Sequence, residues 1–211
     1  MTRDAARNDD DTSAARGGAP AVFLDKDGTL IEDVPYNVDP GLVTLSFGAG
    51  RALAQLALEG FRLVVVSNQS GIGDGRFEAA ALDAVGHRIR ELLAPWHASI
   101  DAFYYCPHTR SFGCDCRKPA AGLLLRAAAE HRLDLHRSWL IGDILDDVEA
   151  GRRAGCRTAL LANGNETQWE LSPLRTPHLV VRALPLAANC IVAAQRARAS
   201  SEEACHVHAL G

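Results

Sequence analysis

Short apolar runs alternate along this chain with longer segments whose apolar residues recur at three- and four-residue intervals. Ala21 to Asp25 is a short apolar run that predicts a strand. Ala49 to Glu59 then carries Leu53, Leu56 and Ala57 at helical spacing before Gly60 ends it. The pattern repeats with a β-branched run at Arg62 to Ser67 and a helix over Phe77 to Leu93, where Leu82, Val85, Ile89 and Leu92 share a face. Ile100 to Tyr105 predicts a third strand, Pro119 to His131 a helix opened by proline, Ser138 to Gly142 a fourth strand, and Asp146 to Ala154 a helix closed by Gly155. Arg157 to Leu161 and His178 to Val181 supply two more strands. Strands alternating with helices imply βαβ units with right-handed crossovers. The expected class is therefore α/β, a doubly wound, Rossmann-like and mostly parallel sheet.

Outside this alternation the pattern fades. Residues 1–20 are polar and hold no Leu, Ile, Val or Phe, and read as a disordered leader. Residues 21–185 form the folded domain, and 186–211 an Ala/Arg-rich helix and tail. A length of 211 residues fits one domain, and shares of 47% hydrophobic and 23% charged residues are those of an ordinary globular protein. A formal net charge of -4 offers no bulk attraction to nucleic acid or to an anionic membrane. Apolar stretches such as Leu63 to Val66 are far too short to span a bilayer, and the leader lacks a signal-type apolar core, so cytoplasmic residence is the expectation; for an enzyme with an open site a monomer is the simplest expectation.

Three of the predicted strands end on polar residues, and in doubly wound folds ligands bind at those ends. Asp25-Lys26-Asp27-Gly28-Thr29 places two carboxylates two residues apart on a turn. They could hold Mg²⁺ through oxygen ligands, with one carboxylate attacking phosphorus while its neighbour handles the leaving-group proton. Taken alone, the same segment also reads as a polar turn with solvated acids. Ser67-Asn68-Gln69-Ser70-Gly71 offers hydroxyl, amide and backbone donors for a phosphoryl group. Gly142-Asp143 adds a third carboxylate, with Asp146 and Asp147 as helix-capping or supporting acids. Lys118, before the Pro119 helix, supplies positive charge for phosphoryl oxygens.

Cysteine usage points to metal. Of six cysteines, three lie in Cys106-Pro-His108 followed by Cys114-Asp-Cys116, a Cys₃His set within eleven residues. Four protein ligands leave no open position, so such a zinc site is structural. The alternative is a loop of reduced, unmetallated thiols. Cys205-His206-Val207-His208 has metal-binding residue types but reads as part of a terminal tail.

Taken in order, Asp25-x-Asp27-Gly28-Thr29, Ser67-Asn68-Gln69, Lys118 and Gly142-Asp143 resemble the four motifs of the haloacid dehalogenase superfamily of phosphohydrolases over roughly residues 21 to 165. The resemblance implies that Asp25 is the nucleophile that forms a phospho-aspartate, and that Asp27 acts as general acid and then base. It implies that Ser67 and Lys118 hold the phosphoryl oxygens, and that Mg²⁺ sits on Asp25, the Asp27 carbonyl and Asp143. The spacing between motifs leaves no room for a cap domain, so a capless member with a zinc-binding loop is expected.

The zinc loop resembles the branch that contains heptose 1,7-bisphosphate phosphatases and histidinol-phosphate phosphatases. Ser67-Asn-Gln-Ser-Gly-Ile-Gly and Tyr104-Tyr-Cys-Pro-His108 look more like the heptose enzymes. By that likeness the substrate is a small phosphorylated sugar, contacted by Asp33, Tyr36, Asn68 and Arg117. Three departures bear on this: Ser67 stands for the commoner Thr, Gly73-Asp74-Gly75 lacks a cation, and Ile144 follows Asp143 where a Lys is usual. Histidinol phosphate is the alternative substrate. A polynucleotide 3′-phosphatase and a non-catalytic zinc-loop binding module are the further alternatives.

Overall fold

A computed structural model describes residues 18–209 of the chain, with side chains to Ser201. Most of the proposed leader, and the side chains of Cys205, His206 and His208, therefore lie outside the described residues.

Six strands form one sheet: β1 (Ala21–Leu24), β2 (Arg62–Asn68), β3 (Ala102–Cys106), β4 (Trp139–Gly142), β5 (Arg157–Leu161) and β6 (Leu179–Val181). Their spatial order is β3-β2-β1-β4-β5-β6, and every neighbouring pair is parallel. The central strands are apolar on both sides because both faces are covered. Val22, Leu24, Leu63 and Val65 join one core layer with α1 (Ala49–Leu58), α3 (Ala81–Leu93) and α6 (Leu184–Ala209). Their alternate neighbours Ala21, Phe23, Val64 and Val66 join the opposite layer with α4 (Gly122–His131) and α5 (Leu145–Arg153). This period-two division fixes the register of β1 and β2, since a slip by one residue would exchange the two faces.

The helices are amphipathic at the spacing the sequence shows. Ala49, Ala52, Leu53 and Leu56 bury one face of α1, and Gly60, at φ 83°, takes the left-handed turn that lets the chain leave for β2. The helix expected from Phe77 begins at Ala81 instead, preceded by the four-residue helix α2 (Ser70–Gly73). Phe77 stays outside the helix because its ring lies against Gly71. Likewise α4 begins at Gly122 rather than Pro119. The Gly122 amide donates to Asp115 O at 3.0 Å and the Ala120 amide to Arg117 O at 2.8 Å, so residues 117–121 close the cysteine loop before the helix can start.

At the other end of the fold, Leu184, Ala187, Ala188, Ile191 and Val192 of α6 belong to the α1-side core. Ala19 already bridges to Leu133, anchoring the chain before β1. Between β1 and α1 there is only a 3-10 turn at Pro40–Leu42, and between α2 and Lys118 only α3, β3 and two short 3-10 turns. Among the described residues, then, no cap domain covers the carboxyl edge of the sheet. Nor is any described helix long and apolar enough to cross a membrane.

Candidate active site

Strand order reverses between β1 and β4, and the crevice that opens there at the carboxyl ends collects the polar loops. Asp25 leaves β1 with its amide donating to Ile141 O of β4 at 2.9 Å, so the two strand ends are tied together. Asp143 leaves β4 immediately opposite. Gly28 makes their approach possible: at φ 77° it takes a left-handed turn, and a Cβ there would collide with Asp143 Oδ2 and Asn165 Nδ2.

Asp25, Asp143 and Asp147 are buried, and one carboxylate oxygen from each lies within 4.8 Å of the others. The buried Lys118 ammonium pairs with Asp25, stands 2.6 Å from Asp147 Oδ1, and donates to Val66 O at 2.9 Å. Three acids thus face one cation. Asp143 forms no ion pair among the described residues and takes only neutral donors: Asn165 Nδ2 at 2.6 Å and Thr29 Oγ1 at 3.4 Å. Burial pushes the Asp25 carboxyl well up; Lys118 draws it down, and Asp147 and Asp143 push it up again. Asp143 is pushed up to about 6, by burial first and by the charge of Asp147 next. For Lys118, burial opposes the charge, but Asp147 and Asp25 more than offset it and hold the ammonium above its ordinary range. An excess of buried carboxylate around oxygen-only donors fits a hard divalent cation such as Mg²⁺.

Asp27 stands apart from this group. Its Oδ1 accepts from Lys26 Nζ at 2.6 Å and its Oδ2 from Gln69 Nε2 at 2.9 Å, while the same Gln69 nitrogen donates to Ser67 Oγ at 2.9 Å. The carboxylate is therefore turned toward the β2 loop and the open crevice. Lys26, which the motif reading passed over, is buried and pairs with Asp27.

Of the expected sugar contacts, Asp33, Asn68 and Arg117 line a cavity of about 340 Å³ together with Asp25, Asp27 and Lys118. Asn68 is largely committed elsewhere: its Nδ2 donates to Lys118 O at 3.1 Å and its Oδ1 accepts from the Lys118 amide at 3.0 Å, so it clasps the backbone that carries the lysine. Tyr36 is not among the lining residues. It is half-exposed at φ 57°, with the Arg76 guanidinium 4.1 Å from its ring centre. Ile144 lines the cavity beside Arg110 and Arg117.

Cys106, His108, Cys114 and Cys116 converge. Sulfur separations run from 3.2 to 3.6 Å, and His108 Nδ1 lies 3.3 Å from Cys116 Sγ and 3.6 Å from Cys106 Sγ. A tetrahedron with metal–sulfur bonds of about 2.3 Å has edges of roughly 3.8 Å, so the donor set fits zinc. His108 stacks on Phe112 with ring centres 4.2 Å apart, and Arg117 Nη1 donates to His108 O at 3.0 Å. The cysteine loop therefore holds a cation of the cavity wall.

The loop after β5 also reaches the site, unmarked by any motif in the sequence. Asn163 Nδ2 donates to Gly28 O at 2.7 Å, Asn165 reaches Asp143, and Glu166 Oε2 accepts from the Leu145 amide at 2.6 Å. No strand-end motif marks these residues. The only signal is the polar cluster Asn163-Gly164-Asn165-Glu166, one residue beyond an apolar strand.

Comparison with known proteins agrees with this architecture. The HAD-hydrolase-like family profile matches residues 115–187. The D-glycero-beta-D-manno-heptose-1,7-bisphosphate 7-phosphatase of Pseudomonas aeruginosa is 32% identical over 174 residues, covering 81% of this chain and 97% of that protein. The enzyme of the same name from Escherichia coli K12 is 38% identical over 171 residues, covering 74% and 90%. The crystal structure of D,D-heptose 1,7-bisphosphate phosphatase from B. bronchiseptica, complexed with magnesium and phosphate, superposes with a TM-score of 0.70 at 30% identity, covering 82% of this chain and 98% of that one. Likeness of this degree over nearly the whole of each relative, on a sheet that gathers its acids at the strand reversal, makes the chain a HAD-superfamily phosphatase belonging to the family of D-glycero-β-D-manno-heptose-1,7-bisphosphate 7-phosphatases.

Proposed function

We propose that the protein removes the 7-phosphate of D-glycero-D-manno-heptose 1,7-bisphosphate through a phospho-Asp25 intermediate. The observation that carries this reading is the placing of Asp25 against Lys118 at the strand reversal, with Asp27 turned to the open side of the same cavity. An Asp25 carboxylate oxygen attacks phosphorus, and the bond from phosphorus to the sugar oxygen breaks. Asp27, as general acid, gives a proton to the departing sugar oxygen. It then takes a proton from the water that attacks the phospho-aspartate, releasing phosphate and restoring Asp25. Ser67 Oγ and Lys118 Nζ bear on the phosphoryl oxygens, where charge accumulates in transfer.

Asp25, Asp143 and the main-chain carbonyl of Asp27 would hold Mg²⁺, which when bound neutralises phosphate charge and the excess of buried carboxylate. Cys106, His108, Cys114 and Cys116 would hold zinc in a structural role, keeping Arg117 on the cavity wall. A Cys₃His site requires reduced thiols, which suits the cytoplasm.

A doubly phosphorylated substrate needs a second cationic place. Arg110 and Arg117 offer it on the wall where Ile144 supplies none. The deciding measurement is the initial rate of phosphate release, with Mg²⁺ and with EDTA, from the α and β heptose 1,7-bisphosphates and from histidinol phosphate. The expected result is a kcat/KM for one heptose anomer at least about a hundredfold above histidinol phosphate, or roughly 2.7 kcal/mol, abolished by EDTA. Preference for histidinol phosphate would overturn the substrate assignment.

A further inference from the structure

We infer that Asn165, in the loop between β5 and β6, is a positioning residue that sets the Asp143 carboxylate for divalent-cation binding. The inference rests on Asp143 being a Mg²⁺ ligand, as proposed above. Asp143 is buried, and its Oδ2 accepts from Asn165 Nδ2 at 2.6 Å. The amide must present its NH₂ group here, because an amide oxygen facing a carboxylate would be repelled. The other oxygen, Oδ1, has only the long 3.4 Å contact from Thr29 Oγ1. Asn165 is thus the close polar partner of the one acid in the cluster that Lys118 does not pair with. By occupying Oδ2 it fixes the carboxylate plane and leaves Oδ1, with its long Thr29 contact, to a cation. Carboxylates that ligate metals are held in this way by outer hydrogen bonds.

A purely structural role would be to pin the loop to the fold. Two other bonds of the same loop do that already: Asn163 Nδ2 to Gly28 O at 2.7 Å, and the Leu145 amide to Glu166 Oε2 at 2.6 Å. Gly28 completes the arrangement, since a side chain there would occupy the space in which Asn165 Nδ2 and Asp143 Oδ2 meet.

The test is calorimetric titration of the metal-free full chain with Mg²⁺, repeated by Mn²⁺ electron paramagnetic resonance, for wild type, Asn165→Ala and Asn163→Ala. Thermal midpoints in EDTA report the fold of each variant. Asn165→Ala is expected to raise the dissociation constant about tenfold or more. Asn163→Ala, which loses the bond to Gly28 O and the 3.3 Å acceptance from the Asn165 amide without touching Asp143, should raise it at most about twofold. If Asn165→Ala does not fold, Asn165→Leu keeps the side-chain size without the donor and is expected to weaken binding by the same factor. A folded Asn165 variant with wild-type affinity, or equal weakening by both Ala variants, would overturn the positioning role. A wild-type chain that binds neither ion would instead overturn the metal reading on which the inference rests.

Discussion

Lys118 Nζ lies 2.6 Å from Asp147 Oδ1 while also pairing with Asp25, so a single buried ammonium bridges the first β-strand loop to the helix after β4. Asp147, placed by sequence among capping acids, has a second task in holding Lys118. As a helix cap alone it would be worth about 1 kcal/mol, whereas breaking a buried ion pair costs about 3–5 kcal/mol. Asp147→Asn is therefore expected to lower stability by about 2–3 kcal/mol, Asp25 and the Val66 carbonyl remaining as partners of Lys118. It should also reduce kcat, because Lys118 is then drawn wholly to Asp25. Urea denaturation beside steady-state rates checks this; a loss near 1 kcal/mol with unchanged kcat would reduce Asp147 to a cap.

Asp25→Asn removes the attacking oxygen's charge while keeping its shape. Turnover should fall roughly a thousandfold or more, since no other carboxylate reaches the same place. The fold should persist at some cost in stability, since Lys118 keeps Asp147 and the Val66 carbonyl and one of three crowded acids becomes neutral. Phosphate-release assays and circular dichroism on the same preparation separate the two effects; residual turnover within tenfold of wild type would exclude Asp25 as nucleophile.

The pH behaviour of the metal-free protein follows from Asp143. Its carboxyl is raised to about 6 by burial and by Asp147, so between its ordinary value and about 6 the folded state holds a proton that the unfolded chain has lost. Stability from this group is therefore lost as pH rises through that window. In EDTA, the thermal midpoint of Asp143→Asn should gain on wild type between about pH 4 and pH 7, by an amount on the order of 2–3 kcal/mol in stability. A gap that stays constant with pH would show that Asp143 titrates as a solvated acid.

How much of this was legible in the chain differs by layer. The alternating apolar runs of β1, β2, β4 and β5 and the faces of α1 and α3 are local patterns, and the structure carries them at nearly the expected boundaries. Helix starts shifted where a distant group intervened: Phe77 is held by Gly71, and Gly122 by Asp115 across the cysteine loop. Asp25 and Asp143 were legible because each directly follows an apolar strand, and Lys118 because it stands in Arg117-Lys118-Pro119 ahead of an expected helix. The partners that orient them were not, for those contacts span long stretches of sequence: Asn165 lies 22 residues from Asp143, and Asn68 lies 50 from Lys118. No periodicity or spacing reports such a pair.

The Cys106–Cys116 loop, if it holds zinc as proposed, has a compositional consequence and a structural one. Purified protein should carry about one zinc per chain, and Cys114→Ser should lose most of it. Since Arg117 is bonded to the His108 carbonyl within the loop, losing the metal should raise KM for a bisphosphate as well as lower the thermal midpoint. Metal analysis by mass spectrometry with parallel kinetics decides this. Full zinc loss with unchanged KM would detach the loop from the cavity wall.

Arg110 bears on the substrate most directly. It shares the cavity wall with Arg117 and Ile144, and pairs at 3.1 Å with Asp146, which Arg175 also contacts at 3.2 Å. Because Arg175 can neutralise Asp146 by itself, the exposed Arg110 guanidinium is able to turn to an anion in the cavity at small cost. Arg110→Gln is accordingly expected to lower kcat/KM for heptose 1,7-bisphosphate about tenfold, the equivalent of roughly 1.4 kcal/mol, and to lower it less for heptose 7-phosphate. The loss should shrink as salt is raised, as for any contact between an exposed cation and a phosphate. Equal losses on the mono- and bisphosphate would mean that Arg110 acts only through Asp146 and α5. In that case Arg117 would be left as the sole cation proposed here for the second phosphate.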